Sequence, residues 1–246
     1  MISGNRVSII IPARYGSTRL PAKPLLEVAG KPIIQWVWEK AKKSKYADDV
    51  IIAVDDVRIH DACKNFGAEV EMTDVNHNCG SNRIAEVAAR HINFEYIINL
   101  QGDEPMIEPE IIDKLVEALD DPDVSMSTLV REITTEAAQN PNCVKCVFDD
   151  NLNALYFSRS PIPYPRNPVC AKYFGHIGMY GYKKETLIKM VEAPQNILEL
   201  AESLEQLRVL GMGEKIKVAL VELNPIGIDT QEDYEKFKSL IESNLV

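Results

Sequence analysis

Three cations, Arg14, Arg19 and Lys23, stand in the stretch Ile11-Pro-Ala-Arg-Tyr-Gly-Ser-Thr-Arg-Leu-Pro-Ala-Lys-Pro-Leu25 without one acid, in a chain whose formal net charge is −10. The stretch also holds Ala13, Gly16, Ser17 and Ala22, small residues whose backbone amides can approach an oligophosphate while Arg14 and Lys23 neutralise it. A solvated surface loop with scattered cations fits the same composition, and the loop alone does not separate the two. Two carboxylates join the set. Asp103 lies just past an apolar run, where an unpaired carboxylate is costly to bury. Asp229 ends the turn Ile226-Gly-Ile-Asp before a helical pattern, where capping the helix is the plainer role.

These residues need elements to place them. Apolar segments Val7–Ile11, Val50–Val54, Glu69–Met72 and Tyr96–Leu100 predict strands, separated by helical patterns near Pro32–Lys43, Val57–Phe66, Ser81–His91 and Glu108–Leu119. Four strand–helix alternations imply an α/β fold with a parallel sheet and right-handed crossovers, in which ligands bind outside the carboxyl ends of the strands. The loops Pro12–Pro24 and Gln101–Pro105 follow two of those strands. Gly30 closes the first loop, Gly67 caps a helix at its C-terminus, and Pro109 opens another. From Val124 to Tyr182 the rhythm changes to the strands Val124–Val130, Val144–Phe148, Ala154–Phe157 and His176–Tyr182, interrupted by the proline-rich Ser160–Pro168. We expect one domain, 1–246, with residues 124–199 as an insertion carrying its own smaller sheet. A helix at Ala201–Leu210, a strand at Lys215–Val221 and a helix at Gln231–Ser243 then restore the α/β rhythm.

Composition narrows the function. A 46% hydrophobic content suits a large buried core, while no apolar run approaches the ~20 residues that span a bilayer, and the N-terminus lacks the marks of a secretory signal. A cytosolic protein is expected. The acidic balance argues against nucleic acid and for a small anion held by local cations. No G-x-G-x-x-G occurs, and Gly30-Lys31 lacks the upstream glycine of a P-loop. Five cysteines are too few and odd in number for a disulfide scaffold; Cys143-Val-Lys-Cys146 lies in a strand, where residues three apart face opposite sides, so a zinc or redox site is disfavoured. Asp121-Pro-Asp123 follows a helix and reads as a turn.

The opening stretch, followed by Gly30-Lys-Pro-Ile-Ile-Gln35, resembles the nucleotide signature of the CMP-Kdo synthetases, the 3-deoxy-manno-octulosonate cytidylyltransferases. The likeness continues through Asn99-Leu-Gln-Gly-Asp-Glu-Pro-Met106, Ala154-Leu-Tyr-Phe-Ser-Arg-Ser-Pro-Ile-Pro-Tyr-Pro-Arg166, His176-Ile-Gly-Met-Tyr-Gly-Tyr182, Glu202-Ser-Leu-Glu-Gln-Leu-Arg-Val209 and Gly227-Ile-Asp-Thr-Gln-Glu-Asp233, covering nearly the whole chain in order. The run from Tyr156 to Asn167 is closest to the capsule-associated branch.

The resemblance implies a Rossmann-like nucleotidyltransferase fold and the reaction of CTP with Kdo, giving CMP-Kdo and diphosphate for lipopolysaccharide or capsule synthesis. It implies a catalytic set of Arg14, Lys23, Asp103 and Asp229, with both aspartates holding Mg²⁺. It places CTP on Pro12, Ala13, Arg14, Gly16, Ser17, Lys23, Thr73, Ser81, Arg83, Gln101 and Asp103. The sugar acid falls to Gln101, Arg159, Arg166, His176, Tyr180, Glu205 and Gln206, types suited to an anion with several hydroxyls. Read alone, Arg159 beside Phe157 suits a structural cation, His176 a core histidine, and Glu205 with Arg208 a helix pair. The resemblance also implies a homodimer through the insertion.

Two departures stand out: Asn82 where the family has a carboxylate before Arg83, and Gly175 where a basic residue commonly precedes the histidine. Both bear on base or sugar selectivity and leave the magnesium carboxylates and phosphate cations intact. The rival readings are activation of another ulosonic or sialic acid such as 8-amino-Kdo, a glycosyltransferase, and a non-catalytic nucleotide-binding protein.

Overall fold

The structure, a computed structural model, describes residues 1–16, 20–170, 172–222 and 227–244. The chain divides into two compact units, one built from Ser3–Asp113 and Pro225–Val246, the other from Lys114–Asn224. The second unit is wider at both ends than the expected insertion of residues 124–199.

In the first unit, β1 (Val7–Ala13) is followed by the short strands β2 (Glu27–Val28) and β3 (Lys31–Pro32), α1 (Ile33–Ala41), β4 (Asp49–Val54), α2 (Val57–Asn65), β5 (Glu69–Met72), α3 (Gly80–Arg90) and β6 (Tyr96–Asn99). β1 pairs in parallel with β4 on one side and β6 on the other, and β4 pairs in parallel with β5, as the alternating pattern predicts. Ile9, Ile10, Ile11, Ile51, Ile52, Ile97 and Ile98 are all buried, because helices cover both faces of a parallel sheet and its strands read as continuous apolar runs. β1 runs past Pro12, which lacks an N–H. β6 has already stopped pairing at Ile10, so at Pro12 the strand lies against β4 alone.

Ala29 and Gly30, with φ of 50° and 75°, turn β2 into β3, and Gly67 at φ 83° follows α2. The C-terminal helix (Gln231–Asn244) packs Phe237 with Leu20, Val28, Ile33 and Ile228 into one apolar cluster. This contact fixes the turn that carries Asp229.

α4 (Pro109–Leu119) spans the division between the units. The second unit is a mixed sheet of β7 (Met126–Ile133), β8 (Lys145–Phe148), β9 (Ala154–Ser158), β10 (Tyr173–Lys183) and β11 (Ile216–Leu220). β7 pairs antiparallel with β10 and parallel with β11, β8 meets β10 at Gly175, and β9 pairs with β8. A short α5 (Thr135–Ala138) precedes β8, and α6 (Lys184–Glu192) follows β10.

The single helix expected at Ala201–Leu210 is instead two, α7 (Ile197–Glu202) and α8 (Gln206–Gly211). Ser203 takes the left-handed conformation at φ 53° and closes α7, a break that no glycine announces. Asp121 accepts from the Asp123 N–H at 3.0 Å, which is the expected turn.

Candidate active site

At the carboxyl ends of β1 and β6 the first unit opens a cavity of about 340 Å³, lined by residues that include Arg14, Lys23, Arg83, Gln101, Asp103 and Asp229. Gly102 brings the two loops together. A Cβ there would stand 2.9 Å from the Pro12 carbonyl oxygen and 3.2 Å from Ile34 Cδ1, so any side chain would force the walls apart.

The Lys23 ammonium bridges the two aspartates, donating to Asp103 Oδ2 at 2.5 Å and Asp229 Oδ1 at 3.3 Å. The Ile228 N–H donates to the Asp103 carbonyl at 2.8 Å and pins the Asp229 turn against the loop after β6. Asp229 does not cap the C-terminal helix. Thr230 does, its hydroxyl accepting from the Asp233 N–H at 3.2 Å while Asp233 accepts from the Thr230 N–H at 2.9 Å. The Asp229 carboxylate instead meets Lys23 in the lining of the cleft.

The opposite wall rests on Arg83, which donates to Asp55 Oδ2 at 3.1 Å and to the Thr73 hydroxyl. Asp55 Oδ1 in turn accepts from the Tyr15 N–H at 3.0 Å, and the Arg58 guanidinium lies 3.4 Å from the Tyr15 ring centroid. One carboxylate thus ties the loop after β1 to an arginine of α3. His77, also in the lining, meets Glu86 Oε2 at 2.5 Å, and that oxygen accepts from the Asp74 N–H at 3.0 Å as well.

Beneath the aspartates, Glu104 is half-buried as a residue, but its Oε2 is inaccessible and has no hydrogen-bond partner among the described residues. Burial, with Asp103 and Asp229 adding repulsion, pushes its carboxyl up to about 8.

Of the residues expected to bind nucleotide, Pro12, Ala13, Arg14, Lys23, Arg83, Gln101 and Asp103 line this one cavity. Thr73 and Ser81 are buried and Gly16 does not line it; Thr73 serves by bracing Arg83. Ser17 and Arg19 lie outside the described residues. His77, Cys79, Asp55 and Glu104 were not in the expected set. Asp55 ends an apolar strand and Glu104 adjoins Asp103, but their partners are distant in sequence.

Gln101 belongs to the first unit; the other residues expected at a sugar acid belong to the second. A register shift in β10 between Ile177 and Tyr180 turns the carbonyl of Met179 onto the Thr128 hydroxyl at 2.9 Å. That hydroxyl has one proton to give, so at its 2.9 Å contact with His176 Nε2 the imidazole donates. Burial holds His176 down to about 3, hence neutral. Tyr180 donates to Gln206 Oε1 at 3.2 Å, and burial with Glu205 nearby pushes its phenol up. Gln206 Nε2 is buried without an acceptor among the described residues. The ring centroids of His176 and Tyr180 stand 5.6 Å apart, so the two and Gln206 form one contiguous group. Arg159 gives its guanidinium to the carbonyls of Glu202, Pro141 and Ser203, and Arg166 is exposed.

Gly175 leaves no room for the basic side chain absent at that position: a Cβ would meet Ile133 Cγ2 at 2.9 Å and Cys143 Sγ at 3.2 Å. Cys143 packs on the Ile133, Ala138 and Tyr173 cluster, and none of the five cysteines is paired. Among the described residues no helix is long and apolar enough to cross a membrane.

Comparison with known proteins gives a consistent assignment. A cytidylyltransferase family model matches residues 8–216. The 3-deoxy-manno-octulosonate cytidylyltransferase of Fusobacterium nucleatum is 48% identical over 237 residues, 96% of each chain. Its Escherichia coli counterpart is 42% identical over 98% of each. A solved structure of CMP:2-keto-3-deoxy-manno-octonic acid synthetase complexed with CTP superimposes with a TM-score of 0.94 at 42% identity, covering 98% of this chain and 100% of that one.

Proposed function

For a chain that belongs to the 3-deoxy-manno-octulosonate cytidylyltransferase family, we propose the reaction of CTP with Kdo to give CMP-Kdo and diphosphate. The observation that carries this reading is the convergence of Arg14, Lys23 and Arg83 with Asp103 and Asp229 on one cavity at the carboxyl ends of β1 and β6. Three cations match a triphosphate, and two carboxylates match the metal ion that accompanies it.

In the reaction the anomeric hydroxyl oxygen forms a bond to the α-phosphorus as the bond to the diphosphate oxygen breaks, and the hydroxyl proton passes to solvent. Arg14 and Arg83 hold the phosphates, with Asp55 fixing the direction of the Arg83 guanidinium. Asp103 and Asp229 suit Mg²⁺: their oxygens already share one cation, and Mg²⁺ takes one or two carboxylates with substrate oxygens and water completing its shell. Once bound there, Mg²⁺ supplies charge neutralisation at the transferring phosphoryl group. The sugar acid is assigned to His176, Tyr180 and Gln206, where the Tyr180 phenol and the Gln206 amide already share one hydrogen bond and the Gln206 amide donor is unmatched among the described residues. Neutral His176 acts there as a hydrogen-bonding group rather than as a cation.

We further read the protein as a homodimer through the second unit, where Tyr164, Val169, Ile197, Leu198 and Leu200 expose apolar surface. Light scattering at micromolar concentration tests this, and a monomer ends it. The activity is tested by diphosphate release from CTP and Mg²⁺ against Kdo, 8-amino-Kdo, N-acetylneuraminate and a blank. Release with Kdo is expected; release only with another acid moves the substrate, and silence across the panel overturns the reading.

A further inference from the structure

Lys23 carries two assignments that conflict in space. As a phosphate cation it faces the nucleotide, yet its ammonium stands 2.5 Å from Asp103 and 3.3 Å from Asp229, on the oxygens assigned to the metal. The Lys23 side chain is only 14% exposed, so the ammonium is held on Asp103, with the more exposed Asp229 beside it. A divalent cation binding the same two oxygens would sit against a positive charge at contact distance, and the two cannot share them at low cost.

We infer that Lys23 is a built-in counter-ion that competes with the divalent metal for Asp103 and Asp229, and that the nucleotide triphosphate releases it. This rests on the reading of both aspartates as metal ligands. The charge balance supports an exchange. With Lys23 in place the two carboxylates and the ammonium sum to −1; with the ammonium turned onto the triphosphate, a divalent ion takes the carboxylates to neutrality.

The protein's own ligand set points the same way. Among the described residues no group of three or more His, Cys, Asp or Glu side chains can hold a metal ion, so the chain by itself offers two carboxylates that are already partnered. The missing ligands and the pull on Lys23 both come from the phosphates of CTP. Metal therefore binds tightly with or after nucleotide. Until then Lys23 keeps Asp103 and Asp229 together, which spares the site the repulsion of two bare carboxylates.

The experiment is a titration of the full-length, nucleotide-free protein with Mn²⁺, free ion being read by its paramagnetic resonance signal, for wild type and for Lys23→Met, Lys23→Gln and Lys23→Arg. Lys23→Met and Lys23→Gln are expected to bind Mn²⁺ at least about tenfold more tightly than wild type, and Lys23→Arg, which keeps the charge, to stay weak. Repeated with CTP present, wild type should gain affinity and the gap to Lys23→Met should shrink. Equal or weaker Mn²⁺ binding by folded Lys23→Met and Lys23→Gln overturns the inference, because a purely structural ion pair predicts lower thermal stability without tighter metal. Adding Asp103→Asn to Lys23→Met separates the two levels. If that double variant loses Mn²⁺, the carboxylate assignment stands whatever Lys23 does; if it keeps Mn²⁺ unchanged, the metal assignment itself falls.

Discussion

Arg83 and Asp55 form an ion pair at 3.1 Å with side chains only 4% and 10% exposed, and the same carboxylate accepts the N–H of Tyr15. The pair joins α3 to the residue that follows β4, and the Tyr15 N–H extends the link to the loop between β1 and β2. A buried pair adds little net stability, but removing one partner leaves an uncompensated charge. Asp55→Ala should therefore lower the unfolding free energy by about 3–5 kcal/mol, and it should weaken CTP binding because Arg83 and the Tyr15 loop lose their common anchor. Urea unfolding and a CTP titration check both. An unchanged CTP affinity would reduce the network to scaffolding.

Asp103→Asn tests the other wall. The substitution keeps shape and removes one charge from the pair that Lys23 bridges. Turnover is expected to fall by about two orders of magnitude or more, comparable to the loss of a preorganised electrostatic contact. Near-normal turnover in a folded variant would remove Asp103 from metal binding.

His176 gives a pH dependence of definite sign. Its folded value is held near 3 by burial, against an ordinary 6.5, so folding favours the neutral ring. The stability this group allows is fully present above about pH 6.5 and is lost as pH falls toward 3, at a slope approaching about 1.4 kcal/mol per pH unit. His176→Gln should show a shallower loss between pH 7 and 5 in urea unfolding. Parallel pH profiles for the two proteins would show that His176 is not the group responsible.

β1, β4 and β6 were legible because burial on both faces makes them apolar runs, whereas β5, at Glu69–Met72, buries only Val70 and alternates polar and apolar residues. Lys23, Asp103 and Asp229 were legible as chemistry-bearing residues, but their mutual contact was not: Lys23 and Asp229 are 206 residues apart. Asp55 was hidden for the same reason, with partners 40 and 28 residues away. The break between α7 and α8 escaped because Ser203 adopts a left-handed conformation that sequence patterns assign to glycine. The cap at Thr230 was available in its spacing to Asp233, and reading it there would have freed Asp229 from the capping role.

The C-x-x-C pattern makes a chemical prediction. Cys146 is buried and its thiol is pushed up, and burial likewise pushes Cys63 up to about 12, so neither forms thiolate near neutrality. Brief alkylation of the native protein at pH 7.5 should label exposed Cys170 and spare Cys63 and Cys146, as read by peptide mass spectrometry. Prompt labelling of Cys146 would contradict its burial.

Glu199 and Arg208 hold α7 to α8 and so position Gln206. Arg208 donates Nε to Glu199 Oε2 at 2.7 Å and a second nitrogen to the Met190 carbonyl at 2.8 Å, while Asn196 caps α7 and donates to the Leu207 carbonyl at 2.9 Å. The Glu199 side chain is 2% exposed, and burial raises its carboxyl while the Arg208 bonds more than reverse that, leaving it lowered. Arg208→Met strands the carboxylate and should destabilise by about 3–5 kcal/mol; Glu199→Leu strands the guanidinium with similar effect. The double variant should lose less than the two singles combined, since no buried charge is left unpaired. If α8 owes its place to this pair, each single variant should also raise the apparent KM for the sugar acid while leaving that for CTP unchanged. Additive stabilities with an unmoved sugar KM would show that packing, not the ion pair, sets the position of Gln206.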